Sequence, residues 1–274
     1  MSSNQEQIDY WNGQAGETWV RAQARLDALL EPITEAVLAR ASVTADDRVL
    51  DVGCGCGGTS LALADRAAAV YGVDVSSPMI EHARARAGDR PGVRFEVADA
   101  ASADFAPDHD LLFSRFGVMF FADPRSAFRN LHGALASDGR VCFVCWQAPR
   151  ANPWMAVAGA AVQPFLPEPT APPDPKAPGP FAFADPDHVR GVLGDAGFAD
   201  VALEDLRTDL RLAGDLDEAL EFQMEIGPLA RVMAELDGEA RGAALDAART
   251  ALAAHLDDDG LRLGAACWIV TARR

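Results

Sequence analysis

Three aspartates and one glycine-rich turn are the residues of this sequence whose types and spacing could do chemistry. The turn, GCGCGG, directly follows the apolar segment VLDV, which contains Asp51. Asp74 and Asp99 come at the ends of the next two apolar segments, AVYGVDV and VRFEVAD. Glycine lets a backbone approach a ligand closely because it has no Cβ to intrude, and a carboxylate can accept several hydrogen bonds. The combination predicts a ligand-binding turn bordered by acids.

The turn alone leaves two classes of cofactor open. Gly53, Gly55 and Gly58 fit the G-x-G-x-x-G spacing of dinucleotide-binding loops, in which a helix N-terminus faces a pyrophosphate. Asp51 would place a negative charge near that pyrophosphate, which is unfavourable. S-adenosylmethionine carries an ammonium and a sulfonium cation and no phosphate, so the same acid favours it. Asp74 can accept hydrogen bonds from the ribose hydroxyls of either cofactor.

An alternation of apolar strands and helices positions these residues between residues 48 and 146. Nearly continuous apolar strands separated by helices predict a parallel sheet that is covered on both faces. We therefore expect an α/β fold, a Rossmann-like doubly wound sheet of about seven strands. Ligands of such sheets bind beyond the carboxyl ends of the strands, where the three aspartates are predicted to lie.

Further segments flank this predicted core. Residues 17–41 have helical spacing, and Pro32 is expected to break the helix or to start a second one. Residues 164–180 hold eight prolines and predict a long loop that could act as a lid. The predicted organisation is an N-terminal helical cover (1–45), the cofactor-binding core (46–150), the proline-rich loop with a continuation of the core (151–214), a helical cap (215–258) and a final core strand (259–274).

The charge of the chain excludes some classes of partner. The net charge is -17, and the cations include a single lysine, Lys176. A surface this acidic repels nucleic acid and anionic membranes. The N-terminal sequence lacks the pattern of a signal peptide, and no apolar run reaches membrane-spanning length. We expect a cytoplasmic protein with a small-molecule partner. The abundant alanine and arginine with little lysine suggest a bacterium with GC-rich DNA.

The cysteines are not predicted to do chemistry. Five cysteines in a chain of this length do not indicate a disulfide framework. Cys142 and Cys145 have C-x-x-C spacing, but they lie in the apolar run VCFVCW with no second pair nearby, so a buried strand is the favoured interpretation. No metal site is expected.

The order of the motifs resembles a known family. DVGCGCG, the acid of GVDVSSPMIEHAR, the acid of VADA, then DLLFSRFGVMFFADP and LASDGRVCFVCW are strongly similar to the class I S-adenosylmethionine-dependent methyltransferases. The resemblance is close over residues 48–146 and looser through FADPDHVRGVLGDAGFADV and the last strand. The opening, YWNGQAGETWVRAQARLDALLEPI, looks like the cover of the small-molecule, ubiquinone-biosynthesis-like branch.

The resemblance implies roles for individual residues. It implies that the backbone of Gly53, Cys54 and Gly55 meets the methionine part of the cofactor, with Asp51 at the ammonium group. It implies that Asp74 binds the ribose, that Val75 and Met79 pack on the adenine, that Asp99 takes the adenine amino group beside Ala100, and that Ser114 and Arg115 lie near the sulfonium. For the acceptor, the expected residues are Phe116, Met119, Trp11 and Trp19.

The predicted reaction is methyl transfer from S-adenosylmethionine to a small molecule, leaving S-adenosylhomocysteine. It is an in-line displacement in which positioning can supply much of the rate, and no general base can be named from the sequence. One alternative is an NAD(P)-dependent oxidoreductase, although neither Tyr10 nor Tyr71 has the lysine of a Tyr-x-x-x-Lys pair. The other is a non-catalytic S-adenosylmethionine-binding protein on the same fold. The oligomeric state stays open.

Overall fold

The fold is that of a computed structural model, which describes residues 4–166, 174–226, 229, 233 and 236–274. The described residues form two compact units. The first contains those of Met1–Gln147, Pro175–Leu206 and Cys267–Arg274, and the second those of Ala148–Asp174 and Arg207–Ala266. The three aspartates and the glycine turn belong to the first unit.

Three helices precede the sheet, and Pro32 does not interrupt them. They are α1 (Gln5–Asn12), α2 (Gln14–Arg21) and α3 (Gln23–Ala41). The expected break at Pro32 is wrong, because α3 continues through it and the break falls at Ala22. Buried residues on both sides of the proline, among them Leu29 and Ile33, hold α3 in place. Their packing outweighs the one hydrogen bond that a proline removes.

The sheet has the predicted doubly wound order. Its strands are β1 (Arg48–Val52), β2 (Ala69–Asp74), β3 (Val93–Val97), β4 (His109–Arg115), β5 (Leu135–Trp146), β6 (Ala199–Ala213), β7 (Leu256–Asp257) and β8 (Gly260–Arg273). The spatial order is β3-β2-β1-β4-β5-β8-β6, and β7 pairs with β8. The pairs among β1 to β5 are parallel, whereas β8 is antiparallel to β5. The strand order reverses between β1 and β4, the position where such sheets bind ligands.

Helices connect the strands in the order that the sequence predicts. They are α4 (Gly58–Leu63), α5 (Ser77–Ala87), α6 (Pro124–Ala134), α7 (Pro153–Val162), α8 (Pro186–Asp195), α9 (Leu216–Glu225) and α10 (Gly238–Ala253). Asp123 caps α6 by accepting a hydrogen bond from the Ser126 amide, and Asp185 caps α8 in the same way. Ser76 precedes α5, but its hydroxyl donates to the Trp11 carbonyl instead. The side chain of Ser76 therefore does not cap α5.

The second unit is mainly helical. Within it α10 packs against α7 and α9. The buried Gln223 of α9 donates a hydrogen bond to the carbonyl of Trp154 on α7 over 2.8 Å. Along the chain, helices α9 and α10 come between β6 and β8, as the sequence predicts. Part of the predicted lid, residues 167–173, lies outside the described residues. Among the helices that are described, none is long and apolar enough to cross a membrane.

Candidate active site

Asp51 lies at the carboxyl end of β1 and is completely buried. Its Oδ2 accepts hydrogen bonds from Thr59 Oγ1 at 2.8 Å and from Ser60 Oγ at 2.6 Å. Its Oδ1 is buried and has no hydrogen-bond partner among the described residues. Burial raises the pKa of Asp51 from 3.8 to about 6 although the two hydroxyls lower it. A buried acceptor without a partner is costly unless a ligand satisfies it.

The glycine turn follows directly and folds against the turn after β4. Gly53 has a φ of +66°, and a Cβ there would come within 2.6 Å of Gly117 Cα. The neighbouring backbone therefore excludes a side chain at Gly53, whether or not a ligand is bound. Gly55 has a φ of +53°, and the nearest atom to its Cβ position would be Met79 Sδ at 3.6 Å. Of the two glycines, Gly55 is the one where a Cβ would make only an ordinary van der Waals contact.

Asp74, at the carboxyl end of β2, ties the turn to the next loop. Its Oδ2 accepts a hydrogen bond from the Gly55 amide and its Oδ1 accepts one from the Ser76 amide, both at 2.9 Å. Burial raises the pKa of Asp74, and these amides oppose the rise. Each carboxylate oxygen has a second lone pair, so Asp74 can still accept hydrogen bonds from a ligand.

Asp99 follows β3, and the N-terminal segment reaches it. Its Oδ1 accepts hydrogen bonds from the Ala101 amide and from Asn4 Nδ2, each at 3.0 Å. The side-chain oxygen of Asn4 accepts a hydrogen bond from the Ala122 amide at 3.3 Å. Asn4 therefore bridges two loops at the carboxyl ends of the strands. Nothing in the sequence near Asn4 indicates these partners, because they are distant in the chain.

Asn12 forms a second bridge that the sequence analysis missed. Its amide donates to the carbonyl of Val75 at 2.8 Å and accepts from the amide of Ser77 at 2.9 Å. With the contact from Ser76 to the Trp11 carbonyl, the end of α1 is fastened over the loop between β2 and α5. An asparagine followed by Gly13 indicates the end of a helix, but it does not indicate this contact.

Ser114 and Arg115, at the end of β4, make contacts with the protein. Ser114 is fully buried, donates to the Val52 carbonyl at 2.7 Å and accepts from the Gly117 amide at 3.1 Å. Arg115 extends to α3, where it donates to Thr34 Oγ1 at 2.7 Å and to Asp27 at 3.1 Å. The contacts of Ser114 hold the turn after β1 against the turn after β4.

Aromatic residues gather at the same end of the sheet. Phe116 has a φ of +64°, unusual for a residue other than glycine, and its ring stacks on Trp146 with centroids 4.0 Å apart. Trp11 meets Trp19 edge to face at 5.6 Å and Phe120 at 5.2 Å. Met119, by contrast, is 1% exposed. The residues expected to contact the acceptor thus lie at one end of the sheet. Met119 is the one among them that is buried in the hydrophobic core.

The segment that holds these residues matches a known domain family. Residues 49–139 match the family model described as a methyltransferase domain. This segment is therefore similar to methyltransferase domains. The match begins in β1, before Asp51, and ends in β5, so it includes the glycine turn and all three aspartates.

Two curated relatives are similar to the chain over a segment of this size. The methyltransferase YcgJ of Bacillus subtilis is 36% identical over 112 residues, which are 40% of this chain and 44% of YcgJ. Trans-aconitate 2-methyltransferase of Methylobacterium nodulans is 39% identical over 105 residues, 38% of this chain and 40% of that enzyme. The chain therefore matches less than half the length of either relative.

Solved structures share the fold over more of the chain. The crystal structure of YcgJ has a TM-score of 0.59 at 20% identity and covers 88% of this chain and 97% of that one. Phosphoethanolamine N-methyltransferase 2 of Haemonchus contortus, solved in complex with S-adenosyl-L-methionine, has a TM-score of 0.61 at 18% identity. That likeness covers 100% of this chain and 60% of the other. At these identities the comparison shows the fold.

The remaining predicted cofactor-binding residues lie around the same turns. Cys54, Met79 and Ala100 are buried, and Val75 is half-buried. Burial raises the pKa of the Cys54 thiol, so it is not a nucleophile at neutral pH. His109 starts β4, at the other end of the strand from Ser114, and its Nδ1 lies 3.0 Å from the Ala134 carbonyl. No cluster of metal ligands occurs within the described part of the chain.

Proposed function

We propose that this protein transfers a methyl group from S-adenosylmethionine to a small-molecule acceptor. The observation that carries the proposal is Asp51, a buried carboxylate beside the glycine turn with one oxygen left without a partner. An ammonium group would satisfy that oxygen and offset its charge. A pyrophosphate would do neither. The methyltransferase family model over residues 49–139 supports the same conclusion.

The other residues of the site fit this cofactor. Asp74 has lone pairs free for the ribose hydroxyls, and its Oδ2 lies beside the Gly55 amide. Asp99 has its Oδ2 bound only weakly, by Ser102 Oγ at 3.3 Å, so it can accept from the adenine amino group. Val75, Met79 and Ala100 would pack against the adenine. The backbone of Gly53, Cys54 and Gly55 would meet the methionine part.

When bound, S-adenosylmethionine supplies a methyl group on a positively charged sulfur, which is a good leaving group. The protein's own residues then have to orient the methyl donor and the acceptor and to exclude water from the site. Near pH 7 Asp51 is ionised, since its pKa is about 6, and it would hold the ammonium end. Phe116, Trp11, Trp19 and Met119 would shape the acceptor side, with Ser114 and Arg115 supporting the sulfonium end through the turn after β4. We assign no general base.

The acceptor is proposed as a class only. Two relatives are named for different small molecules, trans-aconitate and phosphoethanolamine. The net charge of -17 supports a free small molecule over nucleic acid. We propose that the protein acts in the cytoplasm of a bacterium, and the abundant alanine and arginine with little lysine support the bacterial origin.

Isothermal titration of the protein with S-adenosylmethionine, S-adenosylhomocysteine and NADH tests the proposal. We expect the first two to bind with Kd values on the order of micromolar and NADH not to bind. A screen with methyl-labelled donor then identifies the acceptor. Binding of NADH alone would overturn the proposal in favour of an oxidoreductase. Tight binding of the donor without labelled product from any acceptor class would favour a non-catalytic binding protein.

A further inference from the structure

Asp27, on α3, connects the N-terminal helices to the glycine turn. Its carboxylate accepts hydrogen bonds from Gln23 at 2.5 Å, and it forms ion pairs with Arg86 at 3.2 Å and Arg115 at 3.1 Å. The side chains of these three charged residues are 16–29% exposed. Charges that are partly withdrawn from water attract each other more strongly than exposed ones.

Arg86 carries this contact to the turn itself. Its Nη2 faces Asp27, while its Nη1 donates to the carbonyl of Cys56 at 2.7 Å. The Asp27 carboxylate also lies directly against Gly58, because a Cβ at that position would be 2.8 Å from Oδ1. Asp27 thus touches the turn at one point and holds it through Arg86 at another.

The turn needs such support because of its backbone. Gly53, Gly55 and Gly57 all have positive φ angles, from +53° to +79°. Glycine adopts many other conformations with similar ease, so a turn with three of them loses considerable entropy when it is fixed. A turn held in place before the ligand arrives binds more tightly, because that entropy is already lost.

Arg115 is the second group that Asp27 directs. It follows Ser114 at the end of β4, and Asp27 and Thr34 hold its guanidinium on α3. Without Asp27 the charge of Arg115 would lose its carboxylate partner while remaining near the buried Asp51. Both arginines therefore depend on one carboxylate.

We propose that Asp27 is a positioning residue of the cofactor site, which presets residues 53–58 for the amino-acid end of S-adenosylmethionine. The inference rests on the proposed function. It makes a selective prediction, because the nucleoside end is held by other residues, Asp74 and Asp99. Loss of Asp27 should weaken ligands that have the amino-acid group and spare those that lack it.

The test compares two ligands on Asp27→Asn by isothermal titration. S-adenosylhomocysteine has the amino-acid group, and methylthioadenosine is the matching nucleoside without it. We expect the affinity for S-adenosylhomocysteine to fall by about tenfold and that for methylthioadenosine to change less than about twofold. Asp65→Asn is the matched control, because it breaks the Arg90–Asp65 ion pair, whose acid is 70% exposed. It should leave both affinities unchanged.

A second variant, at Gly58, keeps the charge of Asp27 but displaces its carboxylate. Gly58→Ala places a methyl group where the carboxylate now lies, and a helix start tolerates alanine. It should give the same selective loss, and the double variant should lose no more than Asp27→Asn alone. Equal losses for both ligands, or no loss, would overturn the role of Asp27. Failure of the unaltered protein to bind S-adenosylhomocysteine would instead overturn the proposed function.

Discussion

At the scale of single residues, Asp51 combines a cost to the fold with a benefit to binding. Its pKa in the folded protein is about 6, above its ordinary value of 3.8. The folded state therefore binds this proton more tightly than the unfolded chain does. The stability that Asp51 contributes is complete below pH 3.8 and is lost as the pH rises through about 6.

Asp51→Asn should consequently stabilise the protein while it weakens binding. The variant cannot ionise, so its gain in unfolding free energy over the parent should be larger at pH 7.5 than at pH 5, by about 1 kcal/mol. Urea denaturation at both pH values measures this difference. Titration with S-adenosylhomocysteine should show a loss of affinity at pH 7.5. A stability difference independent of pH would show that Asp51 is not the titrating group.

The aspartates and the asparagines differ in how far the sequence alone predicts them. Asp51 and Asp74 could be placed because apolar strands end at them, and the ends of parallel strands meet at one edge of the sheet. Asn4 and Asn12 could not, since their partners lie 95 and 63 residues away in the chain. Arg115 was placed at the correct strand end, but its long side chain is directed by Asp27, a residue of another element. Which residues bind ligand stays a prediction.

At the scale of elements, the turns after β1 and β4 pack closely against each other. A Cβ on Gly117 would lie 2.6 Å from the Val52 carbonyl oxygen and 2.7 Å from Gly53 Cα. Gly117→Ala should therefore lower the unfolding free energy by about 1–3 kcal/mol, as overpacking does, in urea denaturation. Gly133→Ala in α6 is the control, because a Cβ there has open space. It should raise stability by roughly 0.5–1 kcal/mol. Equal effects would mean that this packing can relax.

The attachment of α1 gives a second prediction at this scale. Asn12→Ala removes hydrogen bonds to Val75 and Ser77 at the start of α5 and one to the Ile8 carbonyl within α1, each worth on the order of 1 kcal/mol. The backbone amides of α1 should then exchange with deuterium faster, by roughly tenfold, and mass spectrometry measures this exchange. Gln5→Ala is the control, since its side chain bonds only to Asp9 within α1 among the contacts described. If both variants exchange alike, Asn12 does not hold α1.

Local sequence predicted the strands better than the breaks between the N-terminal helices. The strands follow from apolar runs that burial on both faces requires. The prediction of a break at Pro32 was wrong because the sequence shows only the local cost of a proline in a helix. The burial of Leu29 and Ile33, which offsets that cost, depends on tertiary packing. The alternation of strands and helices predicted a doubly wound sheet, and the structure has one with the order β3-β2-β1-β4 and a reversal beside β1. The antiparallel direction of β8 has no comparable local pattern.

At the scale of the whole molecule, all five cysteines are free and buried. Burial raises the pKa of Cys56 and of Cys142 to about 12, and it also raises the pKa of the other three thiols. Thiols in this state react slowly, because the thiolate is the reactive form. The native protein should show almost no reaction with Ellman's reagent at pH 8. In guanidinium chloride all five thiols should react at once, and rapid native labelling would contradict the burial described.

The antiparallel pairing of β5 with β8 also sets an order of events during synthesis. Trp146 pairs with Cys267, so β5 leaves the ribosome about 120 residues before its partner strand. Throughout that interval one edge of β5 presents unpaired backbone groups flanked by the apolar side chains of VCFVCW. An open apolar edge can pair with another chain. The time between the emergence of these two strands is therefore the period in which the nascent chain is most open to aggregation.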